Sequence, residues 1–66
     1  MDAKEIFELI IKADERVKYS HEANMDQRKQ QAIELLQQAR DAARDIGNDA
    51  LVQQAEQRLA DLGATA

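Results

Sequence analysis

The sequence predicts an all-α protein with an antiparallel three-helix arrangement, in which a helical hairpin carries a third, docking helix. Proline is absent, and the only two glycines, Gly47 and Gly63, each follow a segment in which apolar residues recur with helical spacing. Glycine tolerates the left-handed backbone conformation that commonly ends a helix. We therefore expect one domain over residues 1–66, with helices at about 3–21, 25–46 and 49–62.

The first helix is expected to begin after Asp2, because Asp2 and Glu5 have the spacing of a capping box. At about 100° per residue, its apolar residues form an arc of roughly 200° centred on Ile10, which is wider than one neighbouring helix requires. We therefore expect this helix to touch both of the others. The arc consists of Ala3, Ile6, Phe7, Leu9, Ile10, Ile11, Ala13 and Val17.

The second helix is expected to begin at Met25, with Asn24 as its N-cap and Gln27 completing another capping box. Asn48 and Asp49 can accept hydrogen bonds from the free N–H groups that begin the third helix. Connections of about two residues make consecutive helices antiparallel neighbours. The expected apolar stripes are Met25, Ala32, Ile33, Leu35, Leu36, Ala39, Ala42, Ala43 and Ile46 in the second helix, and Leu51, Val52, Ala55, Leu59 and Leu62 in the third.

Within the second helix, residues 31–39 place small, large and small side chains at Ala32, Leu36 and Ala39. This spacing resembles that of the second helix of a tetratricopeptide (TPR) repeat, in which small residues let paired helices approach closely. The segment 45–49 resembles the turn that leads from one such repeat to the next. The resemblance implies a TPR-like fold with a groove for a peptide or a partner helix.

The spacing of Ile10, Ala13 and Val17 recurs 42 residues later in the third helix, which then resembles the opening helix of a second repeat. Asp14 and Arg44 stand where the TPR family has glycine and proline. The chain therefore resembles a degenerate repeat. The family's peptide-gripping basic residues are not carried over, because their motif is not matched here.

The closing segment of the third helix, residues 54–59, loosely matches the Arg-Ala-Glu-x-Leu pattern that ends another helical domain. That domain is the three-helix microtubule-interacting-and-trafficking (MIT) domain, which is similar in length. This weaker resemblance implies a groove between the last helices that accepts a partner helix.

The charge and hydropathy of the chain limit its partners. A net charge of −4 argues against binding nucleic acid, which requires clustered lysine and arginine. The longest run of large apolar residues, 9–11, is far too short to span a bilayer, and the acidic N-terminus does not resemble a signal peptide. We expect a cytoplasmic protein that binds neither nucleic acid nor membrane.

Candidate catalytic groups are few. His21 is the only histidine, and a metal site needs three or four convergent ligands. Asp41 and Asp45 lie one helical turn apart but are flanked by arginines, as is typical of a mixed-charge surface. Tyr19 is not accompanied by a glycine-rich loop, and no zinc spacing or nucleophile triad is present. We expect no enzymatic activity, cofactor or metal.

The wide apolar arc of the first helix has two interpretations. Either the other helices cover Phe7, Leu9 and Ile11 completely, or these residues form a partner-binding surface together with Ile33. The second interpretation predicts a small helical adaptor that self-associates or binds a partner helix or peptide through an apolar face. The alternative function is a stand-alone regulator or inhibitor that acts by occupying a partner's site.

Overall fold

The computed structural model of the chain describes residues 1–64, so the last two residues of the expected domain lie outside it. In this part of the chain there are three α-helices and no strand: α1 (Ala3–Lys18), α2 (Met25–Asp45) and α3 (Asp49–Asp61). The predicted all-α class and three-helix arrangement are confirmed. The predicted starts are correct, whereas every helix ends earlier than expected.

The segment between α1 and α2 accounts for the largest boundary error, since α1 ends at Lys18 and not at His21. The His21 N–H donates to Oδ1 of Asn24 at 2.9 Å, and the Asn24 N–H donates to the His21 carbonyl at 2.9 Å. This reciprocal pair forms a closed turn. Asn24 is the N-cap of α2 as predicted, but the capping box with Gln27 is wrong, because the Asn24 side chain is already bound to His21.

The ends of α2 and α3 have the same geometry. Gly47 has a φ of 68° and Gly63 a φ of 73°, as expected for glycines that end helices. After α2, the Asn48 N–H donates to the Ala43 carbonyl at 2.9 Å and the Gly47 N–H to the Arg44 carbonyl at 3.0 Å. These two bonds define a Schellman motif, which satisfies carbonyl groups that the helix itself leaves free.

Substituting Gly47 should therefore test the backbone alone. A Cβ built at Gly47 meets no other described atom within 4 Å, so alanine brings strain without a clash. We expect Gly47→Ala to lower the free energy of unfolding by about 1–2 kcal/mol, and Gly47→Asn to lower it less, because asparagine adopts left-handed angles more readily. Urea denaturation followed by circular dichroism measures both. Equal costs for alanine and asparagine would contradict this explanation.

Side chains close the N-termini of α1 and α3. Oδ1 of Asp2 accepts the Glu5 N–H at 2.8 Å, and Oε1 of Glu5 accepts the Asp2 N–H at 3.1 Å, which confirms the predicted capping box. Oδ1 of Asn48 accepts the Leu51 N–H at 3.1 Å, as also predicted. These bonds fix where both helices begin.

The core consists of ten buried residues within the described part of the chain, and all are apolar. Five of the ten are alanines, which supply little buried area but allow neighbouring helix axes to approach closely. The buried residues are Ile6, Ile10, Ala13, Ala32, Leu36, Ala39, Ala43, Leu51, Ala55 and Leu59. Half-buried apolar residues packed against them include Leu9, Ile33, Leu35, Ala42, Val52 and Leu62.

The central helix is α2, which packs extensively against both α1 and α3. The expected contact between α1 and α3 exists but is much smaller, because α3 docks mainly on α2. The Cα positions span 38 × 23 × 13 Å, so the three helices form a flattened body. The arc of α1 is therefore only partly covered.

Besides Phe7 and Ile11, four residues that the sequence assigned to the apolar faces of the helices lie on the surface. Val17 is 40% exposed, Met25 52% and Ile46 46%, and Ala3 is also exposed. Met25 is the first residue of α2 and Ile46 is its C-cap, and α2 is longer than either neighbouring helix. Helical periodicity identifies the face of a helix but not the length over which a neighbour covers it.

Candidate protein-binding surface

Phe7 and Ile11 form an exposed apolar patch on α1, which we call the α1 outer face. Phe7 is 44% exposed and Ile11 40% exposed, and a spacing of four residues places them one turn apart on the same side of the helix. Both were predicted as partner-binding residues. Their exposure is compatible with that role, and partner binding itself remains a prediction.

The other two predicted binding residues have a different environment. Leu9 and Ile33 are half-buried and pack against the core. Leu9 is two positions from Phe7, a separation of about 160° around a helix, so the two side chains leave α1 on nearly opposite sides. The structure therefore brings Phe7 and Ile11 together and directs Leu9 and Ile33 mainly to internal packing.

Two charged residues lie at the ends of the α1 outer face. Lys4 is one turn before Phe7 and Glu15 is one turn after Ile11, and both are exposed. The three ion pairs found between described residues include neither Lys4 nor Glu15. The patch is thus bounded by one basic and one acidic side chain whose charges are available to a partner.

An ion pair across the helices lies beside this face. Nε of Arg58 in α3 is 2.9 Å from Oδ1 and 3.1 Å from Oδ2 of Asp14 in α1, and Nη1 of Arg58 also donates to the Gln54 carbonyl at 3.3 Å. A second pair, Arg44 with Glu56 at 2.6 Å, joins α2 to α3. These contacts place α3 alongside α1 without covering Phe7 or Ile11.

A second apolar region lies between the C-terminal parts of α1 and α3. We call it the α1–α3 groove, and its volume is about 270 Å³. Leu36 of α2 also lines it. Val17 and Leu62 line it, and both also line an adjoining depression that Met25 extends. The sequence contained a signal for this groove, because Val17 and Met25 are large apolar residues, but both were assigned to the core.

The candidate catalytic residues do not come together. His21 and Tyr19 are exposed; Nε2 of His21 is 3.2 Å from Nδ2 of Asn24, and the Tyr19 ring lies 5.5 Å from Nζ of Lys18. Asp41 pairs with Nε of its neighbour Arg40 at 3.1 Å. Across residues 1–64, no three histidine or carboxylate side chains are grouped closely enough to hold a metal ion.

The chain has no match that would assign it to a known family. Comparisons with known protein families, curated proteins and solved structures found no match. None of the helices in residues 1–64 is both long and apolar enough to cross a membrane. The features that bear on function are therefore the chain's own: the α1 outer face and the α1–α3 groove.

Proposed function

We propose that this chain is a non-enzymatic protein–protein interaction module, a small helical adaptor that holds another helix against the α1 outer face. The observation that carries the proposal is the exposure of Phe7 and Ile11 on one side of α1. A domain of this size buries only about 60% of its unfolded surface, so apolar side chains that remain in water forgo stabilisation that the fold needs. Binding a partner would recover it.

The geometry of the face favours a helical partner. Apolar residues separated by four positions are the usual anchors of a helix that packs along another helix. The charged residues Lys4 and Glu15 at its ends match the polar rim that surrounds the apolar centre of most protein interfaces. The partner in this proposal is a second copy of the chain or a helix of another protein.

The α1–α3 groove supports a second candidate function, binding of an apolar peptide in the manner of TPR-like proteins. Two antiparallel connections give α1 and α3 the same direction. Asp14 and Arg58, which bridge them, are 44 residues apart, close to the 42-residue spacing of the apolar pattern in α1 and α3. This agreement favours the proposed repeat-like relationship between the two helices.

Photo-crosslinking in the native host tests the main proposal. Phe7 is replaced by p-benzoylphenylalanine, and the matched control carries the same residue at Tyr19, the other aromatic position, which is 65% exposed. We expect position 7 to give one defined crosslinked species on irradiation and position 19 to give little. Mass spectrometry of the product then identifies a second copy or another protein.

A crosslink from position 7 should also disappear when Ile11→Ala is added, because the change removes half of the apolar patch. Absence of any defined product from position 7, or equal products from both positions, would contradict the proposed function. A product specific to position 7 that survives Ile11→Ala would show that Ile11 does not contribute to the contact, and would contradict binding through the pair of residues.

A further inference from the structure

We infer that the helix held against the α1 outer face belongs to a second copy of this chain, in an antiparallel two-fold pair in which Phe7 of each copy contacts Ile11 of the other. The inference rests on the proposed function, because it specifies the partner of the same face. It follows from the order in which apolar and charged residues occur along α1.

The apolar residues are self-complementary. Phe7 and Ile11 are equally spaced about residue 9 of α1. A two-fold axis that passes at the level of residue 9 sets Phe7 of one copy opposite Ile11 of the other, and the symmetry repeats the same contact. The aromatic ring and the branched side chain therefore meet twice across the pair.

The charged residues are complementary under the same axis. With a rise of about 1.5 Å per residue, Lys4 lies about 7.5 Å before the axis and Glu15 about 9 Å after it. Both project on the same side of Ile11, by about 20° and about 40° around the helix. The two-fold rotation reverses the direction along the helix but leaves the side on which these side chains project unchanged. Each Lys4 therefore lies opposite Glu15 of the second copy, with an offset along the helix of about 1.5 Å.

The charges favour this pairing over other arrangements. Parallel packing of the same face would set Lys4 against Lys4 and Glu15 against Glu15. Asp14 lies on the opposite side of the patch and is engaged by Arg58, so it does not compete for Lys4. Each copy carries a net charge of −4, which opposes association in general, so the two Lys4–Glu15 pairs select this arrangement.

Sedimentation equilibrium of the purified chain from about 10 μM to about 1 mM tests the inference, a range chosen because small interfaces bind weakly. We expect the wild-type chain to dimerise. Lys4→Glu and Glu15→Lys should each raise the dissociation constant about tenfold or more, because two attractive pairs become repulsive. Mixing the two variants should restore association. Positions 4 and 15 are both acidic in one variant and both basic in the other, so both pairs across the mixed dimer are attractive.

Neither substitution is expected to unfold the helix. Lys4→Glu places an acid in the first turn of α1 and Glu15→Lys places a base in its last turn, and both changes suit the helix dipole. Glu15→Lys also reduces the net charge from −4 to −2, which lowers general repulsion. The matched control, Glu22→Lys, gives the same net charge outside α1 and should not weaken the dimer.

Each result has a defined consequence. A monomer at every concentration overturns the inference, while a crosslink from position 7 to a different protein leaves the proposed function intact. A dimer that tolerates Lys4→Glu and Glu15→Lys, or variants that fail to associate with each other, overturns the antiparallel pairing. Loss of association in Glu22→Lys to the same degree would show that the response is not specific to α1.

Discussion

Replacing Ile10 with alanine should lower the free energy of unfolding by about 2–5 kcal/mol, which is the usual cost of truncating a buried branched side chain. Ile10 is 0% exposed and is one of the three largest fully buried side chains in the described part of the chain. Half of the surrounding core is alanine, whose short side chains cannot rotate to fill the cavity. A small domain with a stability of about 5 kcal/mol would be largely unfolded by the upper end of this range.

The matched control is the next residue. Ile11→Ala makes the same chemical change at a position that is 40% exposed, so it should cost about 1 kcal/mol or less, partly offset by the higher helix propensity of alanine. Urea denaturation at low micromolar concentration measures both changes without a contribution from association. Equal costs at Ile10 and Ile11 would mean that the α1 outer face is core, and the proposed function would lose its basis.

Enlarging Ala39 should be nearly as damaging as truncating Ile10. Ala39 is 0% exposed on the central helix, where α1 and α3 both pack, so a leucine at this position has no space. We expect Ala39→Leu to lower the free energy of unfolding by about 1–3 kcal/mol through displaced helices and unfavourable rotamers. Thermal and urea unfolding by circular dichroism would measure the loss.

Ala60 provides the control for this substitution. It is exposed on α3, so Ala60→Leu should change the free energy of unfolding by no more than about 0.5 kcal/mol in either direction. Comparable stability for Ala39→Leu and Ala60→Leu would contradict close packing around α2. It would also weaken the explanation for the alanines in the core.

Much of the fold can be predicted because local signals coincide. The capping box of Asp2 and Glu5 marks the start of α1, and Gly47 and Gly63 mark the ends of α2 and α3. Each signal depends on residues within about one turn. The capping box of Asn24 with Gln27 was predicted incorrectly because the Asn24 side chain can accept from more than one backbone N–H, and the structure uses the His21 N–H.

The arrangement of the helices depends on distant contacts that periodicity does not contain. Asp14 and Arg58 are 44 residues apart, and their approach depends on how α1 and α3 each dock on α2. For the same reason, the sequence predicted the wide arc that includes Phe7 and Ile11 but could not show which part of it α3 leaves exposed. It also assigned Val17 to the interior, although that residue lines a groove.

The alanine-rich core has a consequence for how the protein responds to heat. Unfolding such a core exposes little apolar surface to water. The increase in heat capacity on unfolding should therefore lie below the usual value of about 12–15 cal/mol/K per residue. A small increment flattens the curve of stability against temperature, and a short chain has a small unfolding enthalpy. The folded population should therefore decline gradually across a broad span of temperature, with no sharp melting point.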